Sequence, residues 1–187
     1  MPFNRRPSFA PLAVASFASA AWLSFASVAS AEGKVIGVDV VAALPSDGTV
    51  AGVDTGWGAG IRVGNQWDVP LLNLMPELKF QYTNFGGPVD MTAWNLGLGG
   101  AIGISFILKP SIFAHGGIGH YGYNAPPGLE SSQTAFGYDV GAALGLSLVA
   151  FDLGAQVAWN GIVGDSSIDK LQWVSVGGYT SFTLPGS

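Results

Sequence analysis

The stretch Phe136–Asn160, FGYDVGAALGLSLVAFDLGAQVAWN, decides the fold. Phe136, Tyr138, Val140, Ala142, Leu144, Leu146 and Leu148 alternate with Gly137, Asp139, Gly141, Ala143, Gly145 and Ser147. After a short reversal the alternation resumes, with Phe151, Leu153, Ala155, Val157 and Trp159 set against Asp152, Gly154, Gln156, Ala158 and Asn160. Successive side chains on a strand point to opposite faces, so the stretch is a hairpin with one apolar face and one small or polar face. In a soluble sandwich the second face would carry Lys, Glu and Thr. Here it is mostly Gly and Ala with isolated charges, which suits the lining of a narrow barrel whose apolar face meets lipid.

Composition points the same way. Charged residues make up 10% of the chain and hydrophobic residues 49%, with 28 glycines. A soluble domain carries about 25% charged residues. No stretch after the N-terminus runs for about 20 apolar residues without Gly or polar breaks, so a transmembrane helix is not expected. Backbone groups in lipid must be satisfied internally, and the non-helical way to do that is a closed barrel. The acidic balance offers no electrostatic footprint for nucleic acid. The chain has no Cys, which removes disulfides, thiol nucleophiles and lipoprotein acylation.

The N-terminus has the three parts of a secretory signal in order: Arg5 and Arg6, an apolar small-residue run from Ala10 to Val28, and Ala29-Ser30-Ala31 as the cleavage site. A membrane anchor is the competing reading, because the run is long. Its Ala and Ser content and the cleavage site favour the signal, by the general secretory route. Removing residues 1–31 from the 187 leaves 156, one domain over 32–187, and loss of the Arg pair takes the formal charge from −5 to −7.

Eight strands are expected in up-and-down order. They span 35–44, 56–64, 71–83, 92–108, 111–123, 136–148, 151–160 and 171–184, and the inward phase of the fifth is ambiguous. Longer polar connections (45–55, 84–91, 124–133, 162–170) alternate with short turns (65–70, 109–110, 148–150). With both termini at one end, every long loop falls at the other, the pattern of short periplasmic turns and longer external loops. Pro76 lies within the third strand and cannot donate to the ladder, so a bulge or a local break in pairing is expected there. The charges test the phase. Asp39, Arg62, Glu77, Lys79, Asp139 and Asp152 all fall opposite the bulky apolar residues of their strands.

KPSIFAHGGIGHYGY (109–123), FGYDVGAALGLSL (136–148) and VSVGGYTSF (174–182) resemble the Gly-rich strands of the small eight-stranded outer-membrane barrels. That superfamily includes the OmpA membrane domain, OmpX-like proteins and opacity-type porins. The similarity covers most of residues 34–184. It implies an all-β, eight-stranded antiparallel transmembrane barrel of a Gram-negative cell envelope, reached through the barrel-assembly machinery. It also implies contact with membrane lipids and lipopolysaccharide, and roles in envelope integrity or adhesion. These barrels end on an aromatic residue that the assembly machinery reads. Here Phe182 is followed by Thr183-Leu184-Pro185-Gly186-Ser187, so Phe182 is the assembly-signal candidate, at an internal position.

Asp39, Arg62, Glu77, Lys79 and Asp139 are the candidate interior charge network. Such a network would plug a bore only just wide enough to be filled by side chains. Its bland reading is structural pairing; its functional reading is a gate. His115 and His120 are five apart and face opposite sides, so they make no two-His metal site. No Ser–His–acid constellation stands out, and neither catalytic, metal nor cofactor residues are expected. Trp57, Trp67, Trp94, Trp159, Trp173, Tyr82, Tyr121, Tyr123 and Tyr179 lie near strand ends and read as interfacial girdles. The expected function is a non-catalytic structural or surface-interaction protein of the outer membrane, its loops open to a surface ligand. A narrow passive channel for small or apolar solutes is the alternative, and a lipid-modifying enzyme a third.

Overall fold

The computed structural model describes residues 33–46, 53–69, 71–88, 90–104, 106–123, 132–148, 151–163 and 170–185. The expected signal peptide and the centres of three long connections lie outside them. The described residues form a closed barrel of eight antiparallel strands in sequence order. They are β1 (Gly33–Pro45), β2 (Gly56–Val69), β3 (Leu72–Phe85), β4 (Met91–Ile104), β5 (Leu108–Tyr123), β6 (Ser132–Leu148), β7 (Phe151–Val163) and β8 (Lys170–Pro185). The last strand closes on the first from Gly33–Pro185 to Pro45–Trp173, so no edge is left unpaired. None of the described residues belongs to a helix long and apolar enough to cross a membrane; the apolar surface is carried by strands.

The alternation becomes an inside and an outside. On β1, Val35, Asp39, Val41 and Ala43 are buried while Ile36, Val38, Val40 and Leu44 are exposed. On β7, Gln156, Ala158 and Asn160 are buried while Leu153, Val157 and Trp159 are exposed. The exposed large side chains are almost all apolar, which inverts the arrangement of a soluble domain and matches a lipid-facing band.

Two turns fall elsewhere than the residue pattern suggests. β2 runs on to Val69, through what reads as a turn at 65–70, because Trp67–Leu74, Asp68–Asn73 and Val69–Leu72 continue the ladder. Asp68 accepts hydrogen bonds from Gln66 (3.0 Å) and Asn73 (2.6 Å), which occupies the polar side chains that suggested a loop. The reversal is tight, and Leu71 takes a positive φ of 70° to make it. The turn expected at Lys109-Pro110 instead follows Ile104, where Phe106 donates to the Ile104 carbonyl (3.2 Å) and Ser147 to the Ile107 carbonyl (2.9 Å). Lys109 and Pro110 belong to β5. Proline is tolerated because the β4 ladder stops at Gly103–Ser111, one residue short of it.

Pro76 breaks pairing on one side only. Between Gly64–Glu77 and Trp67–Leu74 the β2–β3 ladder lapses and then resumes in the same register, so there is no bulge; toward β4, Pro76 stays paired with Gly100. β6 begins at Ser132, four residues earlier than the alternation suggests, because Gln133 and Thr134 pair with Tyr121 and His120.

Val140 is half exposed on the outer face, one residue from the buried Asp139. Val140→Arg should therefore destabilise the barrel by about 2–4 kcal/mol, whereas an inward position would not show this dependence on lipid. Denaturant unfolding of the variant in lipid bilayers measures it.

Candidate functional site

The bore is organised by register. Glu77 pairs with Gly99, Gly99 with His115, and His115 with Asp139, so these three polar side chains lie along one row of four neighbouring strands. One step along, Lys79 pairs with Gly97, Gly97 with Gly117 and Gly117 with Gly137. This row of glycines presents bare backbone, and Lys79 reaches across it. A Cβ on Gly97 would stand 3.1 Å from the His115 Cβ, so the glycine makes room for the imidazole beside it.

The resulting geometry is a chain of charge-assisted hydrogen bonds. Lys79 Nζ donates to Asp139 Oδ2 at 2.7 Å. His115 Nδ1 meets Asp139 Oδ1, and its Nε2 lies 2.9 Å from Glu77 Oε1. Each ring nitrogen of His115 thus faces a carboxylate oxygen. All four side chains are buried. Arg62 stands apart from this chain: its guanidinium lies 4.4 Å from the centre of the Tyr179 ring, a cation–π contact rather than the ion pair that composition suggests. Asp39 is hydrogen-bonded by Gln156. Gly60 lets that carboxylate approach, since a Cβ there would meet Asp39 Oδ1 at 2.6 Å.

Apolar layers bound the polar one. Toward the long-connection end, Phe85, Met91, Tyr121, Ile162, Leu171 and Trp173 form a cluster, with Phe85 edge-on to Trp173 at 5.6 Å. Toward the tight turns lie Ala101, Phe113, Ala143, Ala158 and Tyr179. Beyond them, Lys109 bonds both Asp152 oxygens at 3.2 Å.

The aromatic residues divide by phase. Trp57, Trp94 and Trp159 face outward, Trp57 being 55% exposed. Trp173 and Tyr179 do not belong to an outer girdle. They are 1% and 8% exposed inside the bore, because β8 turns inward the phase that also carries Ser175 and Ser181. Tyr121 is inside too, donating to Gln133 at 2.6 Å. Phe182 is on the outer face, half exposed, 5.9 Å from Phe151.

Residue reading missed His115 as a member of the ionic layer. The signal that finds it is the alternation of Phe113, His115, Gly117, Gly119 and Tyr121, which the apolar Ile112 and Ile118 on the other phase complete. His120 faces outward, stacks on Trp94 with ring centres 5.6 Å apart, and its Nδ1 lies 2.8 Å from the Thr134 hydroxyl. Among the described residues, no group of three or more His, Asp or Glu is arranged to hold a metal ion.

A closed eight-stranded barrel with an apolar outside and a filled, ion-paired bore is the fold of the small outer-membrane barrels. No family model and no curated protein sequence matches the chain. Solved structures do. Neisserial surface protein A superimposes with a TM-score of 0.65 at 15% identity, covering 81% of this chain and 97% of that one. Ail, the attachment invasion locus protein of Yersinia pestis, solved with the heparin analogue sucrose octasulfate, gives 0.52 at 12% over 81% and 99%. The outer membrane enzyme PagL gives 0.51 at 15% over the same shares. At these identities what is shared is the fold.

Removing one partner of a buried ion pair leaves a charge uncompensated. Asp139→Ala, which strands both Lys79 and His115, should lower stability by roughly 3–5 kcal/mol. Urea unfolding in micelles compared with Asp152→Ala, whose partner Lys109 is only partly buried, checks this; a larger loss at Asp152 would contradict it.

Proposed function

We propose that the chain is exported by a cleavable signal, residues 1–31, and resides in the bacterial outer membrane as a non-catalytic structural or surface-interaction barrel of the cell envelope. The observation that carries this reading is the bore. It is filled from the Phe85–Trp173 cluster through the Glu77–His115–Asp139–Lys79 chain to Phe113 and Tyr179, which leaves the outer band and the loop end as the working surfaces. The outer band meets membrane lipids and lipopolysaccharide, with Trp57, Trp94 and Trp159 as interfacial anchors. Phe182, exposed on the closing strand, serves the barrel-assembly machinery as its aromatic signal. Connections 45–55, 84–91, 124–133 and 162–170 are the sites for a surface ligand, and the polyanion seen on Ail makes a sulfated polysaccharide a first probe.

Two other readings have a residue behind them. A narrow passive channel would use the ionic layer as a gate, with Glu77 as the partner to release. A lipid-modifying enzyme, the class to which PagL's description points, would start from the outward His120–Thr134 pair. Against it, His120 meets a hydroxyl and a tryptophan ring, and among the described residues no carboxylate orients its imidazole.

The barrel reading predicts a band in the outer-membrane fraction whose electrophoretic mobility differs between boiled and unboiled samples; a soluble periplasmic protein without that shift would overturn it. In planar bilayers the purified protein should show no steady conductance steps, and Glu77→Ala should leave that unchanged. Steps that grow in Glu77→Ala would establish the channel instead.

A further inference from the structure

Between the ionic layer and the aromatic cluster the barrel wall carries polar side chains that the ion pairs do not use. Gln81, the next inward residue after Lys79 on β3, is 3% exposed, and among the described residues neither end of its amide has a hydrogen-bond partner. Asn95 stands directly opposite it on β4, and its Oδ1 is unpartnered as well. That oxygen lies over β5 and β6, since a Cβ on either Gly119 or Gly137 would come within 2.6 Å of it. Gln81 and Asn95 share a cavity with Lys79, His115 and Asp139. The space open to a water's centre there is about 10 Å³. One step further toward the loop end, the Thr83 hydroxyl, 1% exposed, is also without a partner among the described residues.

Buried amides are hydrogen-bonded as a rule, and each one left unmade carries the desolvation of its polar group without return. The amides of Gln81 and Asn95, paired across β3 and β4 and facing a shared cavity, are accounted for by a ligand that can donate and accept at once. The volume admits a single water and nothing larger, and two to four polar partners are what a buried water needs. The ions below sharpen the site. A water there meets the Lys79–Asp139 pair on one side and neutral amides on the other, so it extends the hydrogen-bonded chain upward from the ionic layer.

We propose that this cavity is a hydration site, in which one water bridges Gln81 and Asn95 to the Lys79–Asp139 ion pair. The bore is then wet above its ionic layer and dry at the Phe85–Trp173 cluster, and Gln81 is the residue that holds the water in place. This goes beyond the envelope role proposed above and rests only on the fold.

The test uses the full barrel in nanodiscs. In the wild type, the side-chain amide protons of Gln81 should show through-space cross-peaks to water. Gln81→Met keeps length and approximate volume while removing both hydrogen-bonding ends. With water present it should raise the unfolding equilibrium constant roughly five- to tenfold, because the water loses its partner on β3. In a dry cavity the sign reverses, since replacing an unpaired amide with an apolar chain is stabilising. Absence of the water cross-peak, or an unfolding constant unchanged or lowered in Gln81→Met, overturns the proposal. If Gln81→Met does not refold, the wild-type cross-peak alone decides.

Discussion

An eight-stranded barrel has a bore just wide enough for side chains and none to spare, so any charge that enters it needs a compensating group within a few ångströms. The chain Lys79–Asp139–His115–Glu77 is how this protein meets that constraint. Two acids, a lysine and a histidine are joined end to end, and each ring nitrogen of the histidine faces a carboxylate. The rest of the interior is arranged around the chain. Glycines 97, 117 and 137 clear the wall across which Lys79 lies. Arg62, with no ion pair among the described residues, is held over the face of Tyr179. Burying charges in this way is weak evidence for stability in itself, but it makes the barrel intolerant of losing any one member.

The layering follows from the same narrowness. Two bulky clusters bound the ions, and a row of glycines lies beside the ions between those clusters. Phe85 and Trp173 close over one another near the loop end; Phe113 and Tyr179 lie on the far side of the ions. These side chains occupy the bore along the described residues, while the outer band and the connections face the surroundings. That is why the functional reading rests on surfaces rather than on the interior, although the interior holds most of the chemistry-bearing residues.

Much of this was legible without coordinates. Period-two alternation identifies strands, and the placement of Asp39, Glu77, Lys79 and Asp139 opposite the bulky residues assigns an inside. What escaped was of two kinds. Turn positions depend on how far two strands find pairing partners, so polar residues such as Gln66, Asp68 and Asn73 look like a loop while they lengthen a hairpin. The roles of aromatic residues depend on phase as well as distance from a strand end. Trp173 and Trp159 look alike as terminal tryptophans, yet one fills the bore and the other faces lipid.

The residue order by itself determined the strand class, the strand number and, where charges or bulky runs mark the phase, which face points inward, because these follow from local alternation and from the scarcity of charge. Only the closed barrel decided who meets whom. Glu77 and His115 are on different strands with Gly99 between them, and Lys79 reaches Asp139 over a row of three glycines. Such neighbours are set by the stagger of strands around a closed ring, a quantity that no single strand carries. The ion chain, the seat of Arg62 over Tyr179 and the pairing of Gln81 with Asn95 above them are therefore properties of closure, not of any segment.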